Sequence, residues 1–307
     1  MTSIMTNQSA MTALQSLTTT NKNLSQTQTR ISTGYRVSSA EDNAAYWSIA
    51  TTMRSDRGAL STVKDALGLG AATIDVAYTG MNSAIDVTKE IKNKLVAARQ
   101  PGIDRGKVQS EIKELQNQLK SIGDSSVFSG ENWISVDSSA ASYNGTKTMI
   151  ASFSRSGGNV AVGTISIDIS SVKLYDANDQ SGILDKEDTT ANGNVNYAVS
   201  DLDISGIKDT DNDLEDLQQM IGYVDSAIGS MTTAASNLGA IKQRTKTQSD
   251  FVSALMTAID TGVGALVDAD MNEESTKLQA LQVQQQLGIQ ALSIANQNSQ
   301  TVLSLFR

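Results

Sequence analysis

No residue in this 307-residue chain can act as a thiol nucleophile or an imidazole base, because it contains neither Cys nor His. That removes Cys and His metal sites, Ser-His-Asp arrangements and the HExxH zinc motif. Carboxylates are what remain. Asp209, Asp211 and Asp213 alternate as the start of a calcium loop does. Leu214, however, holds the sixth position, where such a loop turns on Gly, and Met220 the twelfth, where it needs Glu. Asp176, Asn178, Gln180 and Glu187 repeat the acid spacing with Ser181 in place of that Gly. Gly68-Leu69-Gly70 and Gly157-Gly158 lie in no phosphate-binding fingerprint. No carboxylate pair of hydrolytic type can be read. The expectation is no catalytic residue, no cofactor and no metal, so the function must lie in surfaces.

The surface that stands out is the last helix pattern, from Thr276 to Arg307. No charged side chain lies between Lys277 and Arg307. Gln279, Gln282, Gln286, Gln290, Ser293, Gln297, Gln300 and Ser304 recur at steps of three and four, which makes one narrow uncharged polar stripe on a helix. Leu278, Leu281, Leu287, Leu292, Val302 and Leu305 belong to the apolar remainder. A helix that is apolar on most sides and wet along one line needs neighbours on nearly every face. The run is long enough to span a bilayer. Eight Gln and two Asn between Leu278 and Phe306 argue against that, since lipid offers amides no partners. A protein assembly around a water channel fits better, with no membrane insertion.

Residues 1 to 33 mirror that run. Ala10, Leu17, Leu24 and Ile31 are seven apart with Leu14 between them, a seam of coiled-coil period. The two ends are matched halves of a helical pair. Ser38-Ser39-Ala40-Glu41 then reads as a capping box. A long helix starts near Asn43, with Met53, Leu60, Leu67, Ile74, Met81 and Leu95 on one heptad position, broken only by Thr88. It stops at Arg99-Gln100-Pro101-Gly102. Asp104 caps a second helix carrying Val108, Ile112, Leu115, Leu119 and Ile122. Turn signals and the alternating Val160–Ile169 follow, with Lys147–Phe153 as hairpin mate and Tyr197–Ile207 as one more strand. Helix signals return at Asp213, with Leu217, Val224, Met231 and Leu238 seven apart, and run to the break at Asp268-Ala269-Asp270.

The expected fold is therefore mainly α: a long antiparallel helical hairpin, coiled-coil-like, with a small β-rich insertion in the middle of the chain. Three parts are expected: a terminal helical domain of residues 1–35 and 269–307, a helical rod of 36–136 and 207–268, and a surface-exposed insertion of 137–206. From Asp168 to Asp216 thirteen acidic residues face three basic ones, and the rest of the chain is nearly neutral. That acidic block reads as a solvated outer surface, and no basic patch is dense enough for nucleic acid. The first residues have neither a basic start nor a long apolar core, so no cleavable secretory signal is expected.

Ile31-Ser32-Thr33-Gly34-Tyr35-Arg36-Val37 followed by Ala40-Glu41-Asp42-Asn43-Ala44-Ala45 resembles the N-terminal signature of bacterial flagellin. The continuation Tyr46-Trp47-Ser48-Ile49-Ala50 is similar to the rhizobial, alphaproteobacterial type. Near the other end, Ser236-Asn237-Leu238-Gly239-Ala240-Ile241-Lys242-Gln243-Arg244 resembles the family's S-x-LGA-x-x-NR segment, with Gln243 in place of Asn, and Ala291–Arg307 matches its ending. The resemblance covers residues 1 to 135 and 210 to 307. It implies a subunit that polymerises non-covalently into the extracellular flagellar filament for swimming, in a homopolymer that can include paralogous flagellins. It further implies export, unfolded, through the flagellar secretion channel, and the export machinery, a chaperone and hook-associated proteins as partners. On that reading Leu14, Leu17, Leu24, Ile31, Leu278, Leu281, Leu287, Leu292, Val302 and Leu305 are polymerisation seams, and the Gln/Ser stripe lines the bore. One departure is Thr88–Leu95, where Ile91 stands in place of the Arg by which vertebrate receptors recognise many flagellins; Glu111 is the acidic neighbour retained. Two alternatives stay open: a hook–filament junction protein with similar termini, and a flagellin with a non-zinc activity in its insertion.

Overall fold

A computed structural model describes the backbone of residues 7–141, 143–192 and 196–305, with side chains up to Gln297. The order is α1 (Gln8–Thr33), α2 (Ala44–Ala98), α3 (Arg105–Ser125), a strand-bearing region, α4 (Asp211–Val267) and α5 (Met271–Leu305). The strands are β1 (Val127–Phe128), β2 (Glu131–Asn132), β3 (Ser135–Val136), β4 (Thr146–Ser156), β5 (Asn159–Asp168), β6 (Tyr175–Asp176), β7 (Asp188–Thr189) and β8 (Asn196–Tyr197). The chain is mainly helical with a small strand region in its middle, as the periodicities require. By packing it separates into two compact units, residues 1–58 with 256–307 and residues 59–255.

In the unit of residues 59–255, the heptad positions are the core. Leu60, Leu67, Ile74, Met81, Ile91 and Leu95 of α2 and Leu217, Val224, Met231 and Leu238 of α4 are buried. Thr88, which interrupts the α2 heptad, is fully buried, and its hydroxyl donates to the Ala84 carbonyl at 2.7 Å. A polar atom satisfied within its own helix costs the seam little. Pairs of Asp75 with Lys242 at 2.6 Å and Lys92 with Asp225 at 2.5 Å show α2 and α4 running antiparallel. Asp104 caps α3 as expected, and Arg105 just behind it is buried, donating to the Ala98 carbonyl at 3.1 Å and pairing with Asp209 at 2.5 Å.

Among the described residues the strand region forms four small two-stranded pieces: β1 with β2, β3 parallel with β6, β4 with β5, and β7 with β8. The long hairpin β4–β5 is turned by Gly157 and Gly158, both at positive φ, where a side chain would be strained. The strand expected over 197–207 is largely absent. Strand pairing ends at Tyr197, and glutamines of α3 take over the backbone groups beyond it. Gln116 Nε2 donates to the Val199 and Leu202 carbonyls, both at 3.1 Å. Gln109 donates to Leu202 O and accepts from Ile204 N, both at 3.0 Å. Val199, Leu202 and Ile204 are thereby buried without a ladder.

In the other unit, α1 lies antiparallel to α5, and the first turns of α2 meet the last turns of α4. Val37, Ala50, Val263 and Val267 form a core there, with Met53, Ile259 and Leu266 against it. The cap of α2 also differs from expectation. Asn43 accepts from Tyr46 N at 3.1 Å, so the cap lies five residues beyond Ser38. Asp42 organises the turn before it, accepting from Ser38 N, Ser38 Oγ and Ser39 N at 2.9–3.2 Å. The Ser38 and Ser39 N–H groups hold the Asp42 carboxyl below its ordinary range. An Asx residue adjoining the helix satisfies its first donors directly, and Glu41 has no part in those bonds.

Candidate functional site

The terminal helices are tied at both ends by side chains suited to the task. Asn7 caps α1 by accepting from Ala10 N, while its amide donates to the Ala295 carbonyl of α5 at 2.9 Å. Gly34 closes α1 in the left-handed conformation, φ +74°, its N–H bonded to Arg30 O. Asp270 caps α5, accepting from Asn272 N and Glu273 N, with Glu273 and Glu274 in the first turn where the helix dipole favours negative charge. The connectors between these helices and α2 and α4 are zipped together by backbone bonds. Tyr35 bridges Asp268, Ala269 N donates to Gly34 O, and Arg36 N and Val37 N donate to Val267 O. The Arg36 guanidinium donates to Leu266 O at 3.0 Å, satisfying the open end of α4.

Between these ties runs a seam of heptad period. On α1 it uses Ala10, Ala13, Leu17, Thr20, Leu24, Thr27 and Ile31; on α5 it uses Glu274, Leu278, Leu281, Gln285, Gly288, Leu292 and Ala295. All are buried or half-buried, whereas their neighbours on both helices are exposed apart from Arg30, which is half-buried. The lining is small and partly polar, so the two backbones approach closely. Leu17 fills the space at Gly288, where a Cβ would meet Leu17 Cδ1 at 3.3 Å. Asn21 accepts from Gln285 Nε2 at 2.7 Å, and Arg30 pairs with Glu274 at 3.0 Å. Stepping four and three from Leu278 reaches both Gln285 and Gly288, a signal hidden among three consecutive glutamines.

The expected site residues whose side chains are described fall on three faces. Leu17, Leu24, Ile31, Leu278, Leu281 and Leu292 lie in this seam within one chain. Leu14 and Leu287 point away from it, 54% and 59% exposed, together with Met11, Val283, Ile289 and Ile294, all more than half exposed. On α5, Val283, Leu287 and Ile294 share a face roughly 150° round from the seam, at about 100° per residue. Gln279, Gln282, Gln286, Gln290, Ser293 and Gln297 are exposed on a third face, roughly 130° from the seam the other way. The side chains of Gln300, Val302, Ser304 and Leu305 lie outside the described residues.

Two family models match the chain: the bacterial flagellin N-terminal helical region over residues 4–139 and the bacterial flagellin C-terminal helical region over residues 221–306. Flagellin C of Rhizobium meliloti strain 1021 is 52% identical over 322 aligned residues covering all of both chains. The chain belongs to the flagellin family. Flagellin A of Rhizobium meliloti, at 43% over 398 residues, and a flagellin of Brucella melitensis biotype 1, at 43% over 311, also cover it end to end. As a flagellin it is a structural subunit of the flagellar filament. Two acidic side chains with calcium-like spacing are turned to internal bonds: Asp209 to Arg105, and Asp176 to Lys173 and to Ser138 N and Asn178 N. In this flagellin Ile91 is fully buried and Glu111 pairs with Lys94. The α2 position in question therefore faces the core rather than a partner.

Proposed function

We propose that filament formation runs through the outward apolar faces of α1 and α5, and that the glutamine stripe of α5 lines the bore. One observation carries this reading. Six large apolar side chains, Met11, Leu14, Val283, Leu287, Ile289 and Ile294, stand more than half exposed on two helices whose mutual seam is already filled. Val283, Leu287 and Ile294 share one face of α5, and an exposed apolar face of this kind marks an interface. The stripe supports the bore because uncharged amides can stay hydrated there without a ring of fixed charge in every turn of the polymer. Val302 and Leu305 would extend the contact, and Gln300 and Ser304 the stripe. The long α4 adds a window apolar enough by length and composition to cross a membrane, only 17% of it buried; in this reading it is a further subunit contact, not a membrane span.

The three-part division follows: residues 1–35 with 269–307 form the inner layer, 36–136 with 207–268 the next, and 137–206 the exterior. The subunit is exported through the flagellar channel, meets a chaperone and hook-associated proteins on the way, co-assembles with paralogues, and has no catalytic activity. Electron microscopy of the purified chain, seeded at neutral pH, tests the core of this. Filaments of indefinite length are expected; discrete rings or unassembled monomer would overturn it.

A further inference from the structure

We propose that the Arg30–Glu274 pair fixes the register of α1 against α5 and so sets the geometry of the face that α5 offers to other subunits. The proposal deepens the filament reading above and rests on it. A seam of heptad period is degenerate: sliding one helix by seven residues again places seam against seam. Most of this seam resists such a slip weakly: α1 offers alanine, threonine, leucine and isoleucine, and α5 mostly leucine, alanine and glycine, with Gln285 bonded to Asn21 at 2.7 Å. Charge resists it more. Lys22 and Arg30 are the only charged residues of α1, and Lys22 is exposed, outside the seam. Glu273, Glu274 and Lys277 are the only charges of α5, and only Glu274 is buried. One ion pair therefore joins the two helices, at the end where the connectors hold them.

The pair looks poorly made for stability. Arg30 Nη1 meets Glu274 Oε1 at 3.0 Å, with the side chains 22% and 7% exposed, but Arg30 Nε and Glu274 Oε2 are buried without partners. A half-satisfied buried pair contributes little net stability, and its best-attested use is to specify one arrangement over others. A slip that set Arg30 against Leu281 would leave both charges unpaired. Leu17 in the space at Gly288 adds a size constraint in the same sense, since a one-heptad slip would set Leu17 against Leu281 or Ala295.

The chain has no Cys, so register can be read by oxidative cross-linking. Asn21→Cys is combined with Gln285→Cys for the native register, or with Leu278→Cys or Leu292→Cys for a slip of one heptad. Each pair is tested in seeded filaments, and denaturing gels separate intrachain from interchain products. With Arg30 and Glu274 intact, the native pair should form an intrachain product at least about tenfold faster than either slipped pair. Arg30→Met with Glu274→Met removes the charges while keeping volume, and should bring the native and slipped rates to within about threefold. Arg30→Glu with Glu274→Arg should restore the native preference. Should the Met pair fail to seed, the swapped pair decides: native cross-linking supports the proposal, and its loss overturns it. An undiminished native preference in the Met pair also overturns it. An interchain product in the parent places the seam between subunits, and overturns it too. A parent that never seeds fails the filament reading instead, which keeps the two failures apart.

Discussion

Leu287 and Leu292 lie five residues apart on α5 and face different worlds: Leu292 is half-buried against α1, while Leu287 is 59% exposed. Each leucine contributes about 1.5–3 kcal/mol when fully buried, but in different contacts. Leu287→Asp should leave the isolated subunit's circular dichroism unchanged and abolish seeded polymerisation measured by sedimentation. Leu292→Asp should abolish polymerisation and also free α1 from α5, seen as faster proteolysis of both ends. Equal protease sensitivity of the two variants would show that the faces are not distinct.

Gly288 separates two opposing effects. Alanine gains about 0.8–1 kcal/mol of helix propensity over glycine, but its Cβ must displace Leu17 Cδ1 from 3.3 Å. Cδ1 is the free end of a flexible side chain, so a shift of a few tenths of an ångström is open to it. Gly288→Ala should therefore polymerise normally, with filament melting unchanged or raised by a few degrees. Gly288→Leu has no such room and should prevent assembly.

The heptads of α1, α2 and α4 were legible because one apolar position every seven residues is a long, redundant signal. The cap of α2 was misread because Ser38 and Glu41 have capping-box spacing, and only the geometry shows Asn43 nearer the first free N–H groups. The tract 197–207 was misread because alternation cannot show that Gln109 and Gln116 of a distant helix will satisfy its backbone. The terminal helices were harder still. Apolar residues surround most of α5, so periodicity alone could not divide Leu292 in the seam from Leu287 outside it.

The strand region holds a buried charge network with opposed pH dependences. Burial pushes Asp176 upward, but the Lys173 ammonium at 2.6 Å and the Ser138 and Asn178 N–H groups outweigh it and hold the carboxyl well below its ordinary value. Its stabilisation is present above the unfolded value of 3.8 and is lost as pH falls through the folded one. Burial raises Asp185, whose Oδ1 is buried without a partner, so its contribution is present below 3.8 and is lost as pH rises through its folded value. Asp185→Asn should therefore raise the melting temperature at pH 7 and leave it unchanged near pH 3. Lys173→Met strands Asp176, which is fully buried in its side chain, and should cost about 3–5 kcal/mol at pH 7. A flat difference between Asp185→Asn and parent across pH 3 to 8 would contradict this assignment.

Gln290 tests the stripe. It is exposed in the single subunit, on the face that the proposed bore would keep wet. A serine there shortens the side chain and leaves it hydrated, so Gln290→Ser should polymerise at the parent rate. If the stripe instead packs against a neighbouring subunit, the same change would remove buried area and leave a cavity, slowing assembly as a seam variant does. Gln290→Lys sharpens the comparison. A lysine in water needs no partner, so purified subunits should still assemble at about 0.1 M salt, although a ring of charge would form along the bore. Repulsion in that ring is screened within about 10 Å at 0.1 M salt, so assembly of Gln290→Lys should recover as salt is raised from about 0.01 to 0.1 M. On the proposed reading, in which later subunits travel through that bore, filaments of Gln290→Lys on cells should be shorter. Seeded sedimentation across salt concentrations, beside filament lengths on cells, separates the cases. Salt-independent failure of both variants would place the stripe in a buried contact.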